Sequence, residues 1–358
     1  MLNTLRVHLG RWRQLMKERV LWTRAGKPLR AGLLLEEPPV LYVKFNEAAW
    51  EVQLAALKGN FQQPGLLLVG FLWLQNDRTV RWMQEIAARL PRVLPAWEMV
   101  ILCNSAPEVA LYDGTGLRAV LFSQNALLDE QIYTVQPEVK KEFDALYDGQ
   151  LIRFKRHHLA AGVRSLALIS YKYDMNYDAG YGRQVVEDFR HATWINNPIA
   201  PDYRKLSDRE VAREYNRARV GLCLSEEEGS MYASCQYLLC GLPLVSTRSR
   251  GGRDVMYSPE DCLVVADRAD AVAAGVQEAL SRALPPEQVR ARVLEKMREH
   301  RRVLIGVVQD YLNRRGVALS YADVFRSHFT NKLLAVRPLD QLKPFPVVAA
   351  ESAAARLV

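Results

Sequence analysis

The residues best suited to chemistry lie between Ala218 and Asp254, in the stretch ARVGLCLSEEEGSMYASCQYLLCGLPLVSTRSRGGRD. Residues 220–224 read as a buried strand, which ends in an acidic loop, Ser225-Glu226-Glu227-Glu228-Gly229. Gly229 opens a helix predicted over 230–240, Gly241 stops it as a C′ residue, and Pro243 launches the next strand. Gly251 and Gly252 then form a second flexible loop. A helix start reached through glycine leaves free backbone N–H groups and the positive end of the dipole facing any nearby anion. In a parallel α/β sheet, ligands gather at the carboxyl ends of strands, so both loops converge on one crevice. Taken alone, these residues point to a nucleotide or a sugar phosphate. A glycine-rich turn without a ligand is the alternative they leave open.

The same stretch resembles the donor-binding segment of GT-B glycosyltransferases, specifically the retaining nucleotide-sugar family with the E-x7-E motif (glycosyl transferases group 1, family 4-like). Ser225, Glu228, Gly229, Cys240, Gly241, Pro243, Val245, Gly251 and Gly252 fall in register with the family pattern, and Asp254 stands where the family often has an acid. The resemblance covers residues 163–282, a third of the chain. It implies that Glu228 contacts hydroxyls of the donor sugar near the reacting carbon. It places Ser225, Gly229, Ser230, Met231, Gly251 and Gly252 around the donor. The second glutamate of the motif, which binds the nucleotide ribose, is replaced here by Gln236. A glutamine carbonyl still accepts from a ribose hydroxyl, but without charge assistance. The family also balances its departing diphosphate with a basic residue after the first strand of the second domain. Lys172, after a strand predicted over 165–170, is assigned that role, with Arg183 as the second cation.

Other polar groups are expected nearby. Lys155-Arg156-His157-His158 falls at the predicted domain junction. His157 would lie beside the acceptor or the phosphates, and Arg156 would pair an anionic sugar; a solvated basic turn is the alternative. Asn46 follows the strand at 40–43, and Ser123 and Asn125 follow one at 119–122, which makes all three acceptor-side candidates. Glu226 and Glu227 read as a solvated acidic turn. Gly114-Thr115-Gly116-Leu117-Arg118-Ala119 matches the dinucleotide fingerprint but precedes a strand instead of following one. No D-x-D, H-E-x-x-H, P-loop or G-x-S-x-G motif occurs, and the six histidines lack ligand spacing apart from one adjacent pair. The expectation is a metal-independent reaction with no cofactor and the nucleotide-sugar as co-substrate.

The elements that must position these groups alternate between apolar strands and amphipathic helices from residue 40 onward, which means parallel sheets covered by helices. Residues 138–148 read as a helix, and Ser207 with Glu210 forms a capping box ahead of another. A length of 358 residues suggests about two domains. Hydrophobic residues at 49% and charged residues at 25% exclude collagen, low-complexity disorder and a disulfide miniprotein. Five cysteines without C-x-x-C spacing favour a reducing compartment. No apolar run reaches the ~18 residues of a membrane span.

With the resemblance, the expected fold is α/β and GT-B-like: two Rossmann-like, doubly wound domains facing each other across a cleft. The expected divisions are a basic amphipathic arm over 1–35, an acceptor-side domain over 36–160, a nucleotide-sugar-binding domain over 161–335 and a tail over 336–358. Residues 1–30 carry eight basic residues against one acid, +7 of the chain's net +8. Leu2, Leu5, Leu9, Trp12, Met16 and Val20 form an apolar stripe there, suited to packing on its own domain or to lying on an anionic membrane. Nothing resembles a nucleic-acid-binding pattern, so no nucleic-acid partner is expected.

The implied function is transfer of a sugar from a nucleotide-sugar donor to a glycan or lipid-linked acceptor, with retention, in bacterial-type polysaccharide or lipopolysaccharide synthesis. The implied location is cytoplasmic, peripheral on the inner face of the membrane. Because Gln236 departs from the motif, a catalytically impaired nucleotide-sugar-binding module is the second reading. An epimerase or phosphorylase on the same fold is the third.

Overall fold

The computed structural model describes residues 29–45, 47, 49–61, 63–171, 178–327 and 337–338. The apolar stripe of the arm, Asn46, Lys172 and the tail beyond 338 lie outside the described residues. The chain divides into two units. One takes the described residues up to Phe122 together with those from Arg302, and the other is Ser123–Arg301.

In the first unit, strands β1 (Arg30–Leu35), β2 (Val40–Val43), β3 (Leu66–Val69), β4 (Glu98–Cys103) and β5 (Ala119–Leu121) lie side by side in sequence order. From β2 onward neighbours are parallel, while β1 runs antiparallel to β2. The sequence reading placed residues 30–35 in the arm. The structure makes them an edge strand instead, because Leu29, Ala31, Leu33 and Leu34 bury their side chains. All four residues of β2 and of β3 are buried, as expected of strands covered on both faces. Helix α1 (Trp50–Asn60) buries Trp50, Leu54 and Leu57. Helix α2 (Asp77–Val93) buries Val80, Met83, Ile86 and Leu90 at helical spacing, and its start is capped by Asn76 and Thr79. A short helix, α3 (Ala106–Ala110), follows β4.

In the second unit, β6 (Phe143–Asp148), β7 (Leu166–Ile169), β8 (Thr193–Asn196), β9 (Ala218–Cys223), β11 (Leu244–Thr247) and β13 (Cys262–Val265) form an all-parallel sheet in the order β8-β7-β6-β9-β11-β13. Counted from β6, that is 3-2-1-4-5-6, the Rossmann order. Helices α4 (Ala179–Asp188), α5 (Asp208–Asn216), α6 (Tyr232–Leu239) and α7 (Ala269–Arg282) connect its strands. The Ser207–Glu210 capping box forms as expected. A two-stranded parallel ladder, β10 (Glu227–Glu228) with β12 (Arg250–Gly251), stands apart from the sheet. Helix α8 (Pro286–Arg314) supplies its first part to this unit and its second part to the other. Helix α9 (Tyr321–Ser327) and strand β14 (Arg337–Pro338), antiparallel to β1, complete the first unit.

Two expectations are corrected. Residues 138–148 do not form a helix. The run FDALYD becomes β6, the first and central strand of the second sheet, because Phe143, Ala145, Leu146 and Tyr147 are all buried between β7 and β9. The boundary drawn at 160/161 therefore falls inside the second unit, which begins at Ser123.

Candidate active site

The strand order of the second sheet reverses between β6 and β9, and a crevice opens at such a switch point beyond the carboxyl ends of the two strands. Those ends are Asp148-Gly149 and Cys223-Leu224-Ser225. The acidic loop and the start of α6 follow β9, so the chemistry read from the sequence sits where the topology puts a ligand.

Glu228 lies on the β10 ladder, register-paired with Gly251, and is buried. Gly251 adopts φ +99°, a left-handed backbone suited to glycine. The amide of Gly252 donates to the carbonyl of Gly229 at 2.9 Å, so the glycine pair clamps the acidic loop. Glu226 is exposed, and Glu227 pairs with Arg250 at 2.8 Å near the surface. Of the three acids, only Glu228 points inward, and its Oε1 forms an ion pair with Lys155 Nζ. Both side chains are about nine-tenths buried, at 8% and 10% exposure.

Lys155 sits in a one-turn 3-10 helix, Arg153–Lys155, on the loop after β6. It is therefore the buried cation after the first strand of this sheet, the position the resemblance assigned to Lys172. Lys172 lies outside the described residues; the misread helix at 138–148 hid β6, so the strand counted as first in the sequence is the second, β7. Arg183 is exposed on α4 and has no ion pair among the described residues.

Arg156 adopts a left-handed φ of +51°. Nε donates to Leu224 O at 2.7 Å, and the two terminal nitrogens reach Thr247 Oγ1 at 2.7 Å and Asp267 at 2.6 Å. It brackets the ends of β9 and β11. His157 is 2% exposed, 3.2 Å from the Tyr181 hydroxyl and packed on Tyr147 with ring centres 5.1 Å apart. Burial, followed by the neighbouring Lys155 ammonium, pushes it down to about 3. The imidazole is neutral and packs against Tyr147 and Tyr181; the sequence reading had placed it beside the acceptor or the phosphates.

Helix α6 starts at Tyr232, two residues later than expected, with Met231 at its N-cap in a left-handed conformation of φ +44°. Ser225 is fully buried, its hydroxyl against Met231 Sδ at 3.8 Å. Gly241 ends the helix with φ +78°, as its type predicts. Asn125 Nδ2 donates to the Ser230 carbonyl at 2.7 Å, and Ser123 caps the turn that carries Asn125. Both belong to the second unit, where they support the turn at Ser230 ahead of α6; the sequence reading had counted them on the acceptor side, in the first.

Three contributors went unnoticed in the sequence. Arg253 is fully buried and donates to the carbonyls of Cys223 at 3.0 Å and Ser225 at 2.8 Å, to Ser246 Oγ at 2.9 Å, and to Thr247 O. It ties the ends of β9 and β11 under the acidic loop. Tyr237, on α6, lies flat on Gly221 of β9, where any Cβ would overlap its ring. Its hydroxyl accepts from the Asp148 backbone N–H at 2.6 Å. Asp148 itself ends β6 and accepts from the Tyr215 hydroxyl at 2.6 Å; that hydroxyl also lies 3.3 Å from Gln236 Oε1. The sequence signal was available: an acid directly after an apolar strand, and an arginine locked between Gly251-Gly252 and Asp254. Among the described residues, no group of three or more His, Cys, Asp or Glu side chains is placed to hold a metal ion. No described helix is long and apolar enough to cross a membrane.

The sequence matches no family model and no curated protein. Solved structures do match. HepE from Anabaena, solved in complex with UDP, aligns over 75% of this chain and 78% of its own, at 10% identity and TM-score 0.56. A sucrose-phosphate synthase from Thermosynechococcus elongatus aligns over 78% and 74%, at 14% identity and TM-score 0.53. A glycosyltransferase from Rickettsia africae aligns over 83% and 81%, at 11% identity and TM-score 0.53. The Rossmann-ordered second sheet and these likenesses together give the chain the GT-B glycosyltransferase fold.

Proposed function

We propose that the protein is a glycosyltransferase that moves a sugar from a nucleoside diphosphate to a glycan or lipid-linked acceptor. The observation that carries this reading is the buried Lys155–Glu228 pair at the switch point of the second sheet. A cation and an acceptor placed together there suit the two ends of a sugar diphosphate. The Lys155 ammonium and the N-terminus of α6 would balance charge on the leaving diphosphate. Glu228 would accept from a sugar hydroxyl. The pair must loosen as donor enters, so each group exchanges one partner for another without being left bare.

The bond from the anomeric carbon to phosphate breaks with its electrons going to the phosphate oxygen. The acceptor hydroxyl bonds to the same carbon, and its proton passes to that oxygen. Attack on the face the phosphate leaves gives retention, and no metal takes part in this reading. HepE, solved with UDP, makes UDP-sugars the first donors to try.

The decisive experiment is slow hydrolysis of a UDP-, GDP-, ADP- and CMP-sugar panel without acceptor, followed by nucleotide release. Turnover of one donor that falls about 100-fold in Glu228→Ala supports the reading, a loss typical of a polar group that contacts the reacting centre. Binding without turnover supports instead an impaired nucleotide-sugar module. That second reading is favoured by Gln236, whose amide already faces the Tyr215 hydroxyl.

The same reading makes residues 1–30, with a net charge of +7, a hold on an anionic membrane where a lipid-linked acceptor would lie. Each surface cation contributes ~1 kcal/mol near such a leaflet, and salt screens it. Flotation with anionic vesicles should be lost above physiological salt and in a chain starting at Arg30. Equal behaviour of the full chain and the shortened one would remove the membrane from the proposal.

A further inference from the structure

The Tyr215 hydroxyl lies between two acceptors, 2.6 Å from Asp148 Oδ2 and 3.3 Å from Gln236 Oε1. A phenol has one hydrogen to give. Burial raises Tyr215 well above the ordinary tyrosine range, so that hydrogen stays in place. It cannot satisfy both neighbours.

With Asp148 ionised, the hydrogen goes to the carboxylate, the nearer and charge-assisted partner. The phenol oxygen then only accepts, and Gln236 meets it best by presenting Nε2 and turning Oε1 away. With Asp148 protonated, its own hydrogen goes to the phenol oxygen. The phenol hydrogen is then free for Gln236 Oε1, and Nε2 is the end left over. One proton from solvent, taken up by Asp148, thus reverses the amide two groups away.

We propose that Asp148 is a positioning residue that acts through Tyr215 to set which end of the Gln236 amide faces the donor nucleotide, making nucleotide recognition proton-dependent. The inference rests on the reading of Gln236 as the ribose-side residue. It also explains why that position is not a glutamate here: a second carboxylate would contend with Asp148 for one phenol hydrogen. Burial pushes Asp148 up to about 6, opposed by the Tyr215 hydrogen bond and the Lys155 ammonium. The groups that face it are Tyr215 from α5, Tyr237 from α6, Lys155 from the loop after β6, and Tyr133 from the segment before it. Burial raises all three tyrosines, so Lys155 is the charged member of that set.

Two measurements test this on the full chain. The first needs no ligand: the side-chain amide resonances of Gln236, assigned by their loss in Gln236→Ala, are followed from pH 8 to pH 5. They should titrate with one midpoint near 6, and stay fixed in Asp148→Asn and in Tyr215→Phe. Two variants are used so that a folding failure in one leaves the other decisive. Resonances that do not titrate, or titrate equally in the variants, overturn the relay. The second is UDP affinity at pH 7.5 and pH 5. It should weaken on acidification by roughly three- to tenfold, the size of one neutral hydrogen bond, and lose that dependence in Asp148→Asn. UDP bound equally well at both pH values overturns the positioning role. UDP bound at neither counts against the donor reading, and the amide resonances then decide the relay alone.

Discussion

Lys155 and Glu228 are 73 residues apart in the chain, yet their charged ends meet in a site almost closed to water. One comes from the loop after β6 and the other from the β10 ladder, so the pair forms only when the switch point is assembled. Breaking a buried pair from one side strands the other charge, which costs about 3–5 kcal/mol. Lys155→Met and Glu228→Leu should each lose stability on that scale in denaturant unfolding. The combined Lys155→Met/Glu228→Leu protein should recover most of it while staying inactive. Additive losses in the double variant would mean that the two groups are not coupled.

Lys155→Met should also weaken nucleoside diphosphate binding far more than it weakens binding of the matching nucleoside. Calorimetric titration of both ligands checks this, and equal losses would move the diphosphate away from Lys155.

His157 makes a prediction about acid. Its folded-state value of about 3 lies below the ordinary imidazole value of 6.5. Between those two values the unfolded chain holds a proton that the folded chain refuses. Stability from this group is therefore present above pH 6.5 and lost as pH falls toward 3, by at most about 1.4 kcal/mol per pH unit. Asp148 acts in the opposite sense, because its raised value means that the folded chain binds a proton first. The quantity to measure is thus the difference in unfolding free energy between the natural protein and His157→Gln. That difference should shrink steadily from pH 6.5 downward, and a pH-independent difference would contradict the buried neutral imidazole.

Arg253 should tolerate no conservative replacement. A lysine cannot span the carbonyls of Cys223, Ser225 and Thr247 at once, since it lacks the rigid fork. Each buried acceptor left unpaired costs about 1–3 kcal/mol. Arg253→Lys should lower the melting temperature sharply, and an unchanged value would show that the carbonyls find other donors.

Gly221→Ala should act on the site from behind. The new methyl would push the Tyr237 ring off β9 and break its contact with the Asp148 N–H. Overpacking of this kind costs about 1–3 kcal/mol. Tyr237→Phe, which removes only the hydroxyl, should cost less. A Gly221→Ala protein as stable as the natural one would show that the ring can shift freely.

Much of the second unit was legible in the sequence because its signals are local. The Ser207–Glu210 capping box and the Gly241 stop depend on residues near in sequence. Glu228 could be singled out by its place before Gly229. Lys155 could not, because its importance depends on which strand is central. FDALYD carries apolar residues at spacings that suit a helix as well as a strand, and only pairing with β7 and β9 decides between them. That one ambiguity drew the reading to Lys172 and past Lys155, and it set the domain boundary at 160/161, inside the second unit. Ser123 and Asn125 were assigned to the wrong unit for a related reason. They follow β5 in sequence, but the Asn125 bond to the Ser230 carbonyl ties them to the second unit. The Asp148–Tyr215–Gln236 relay joins three elements and has no signature in any one of them.

The way α8 is shared has a consequence for the order of events at the ribosome. Chains emerge amino end first, and domains tend to fold as they are completed. Here the second unit, Ser123–Arg301, is complete while the first still lacks its closing segments. The Tyr311 hydroxyl must yet reach Pro64 O at 3.3 Å, Arg118 must meet Asp310 at 3.3 Å, and β14 must join β1. The first unit is therefore the later of the two to finish, and it waits with β1 to β5 already synthesised while the second sheet closes. A stalled chain from which the residues up to Arg301 have just emerged should hold a protease-resistant second unit beside a cleavable first one.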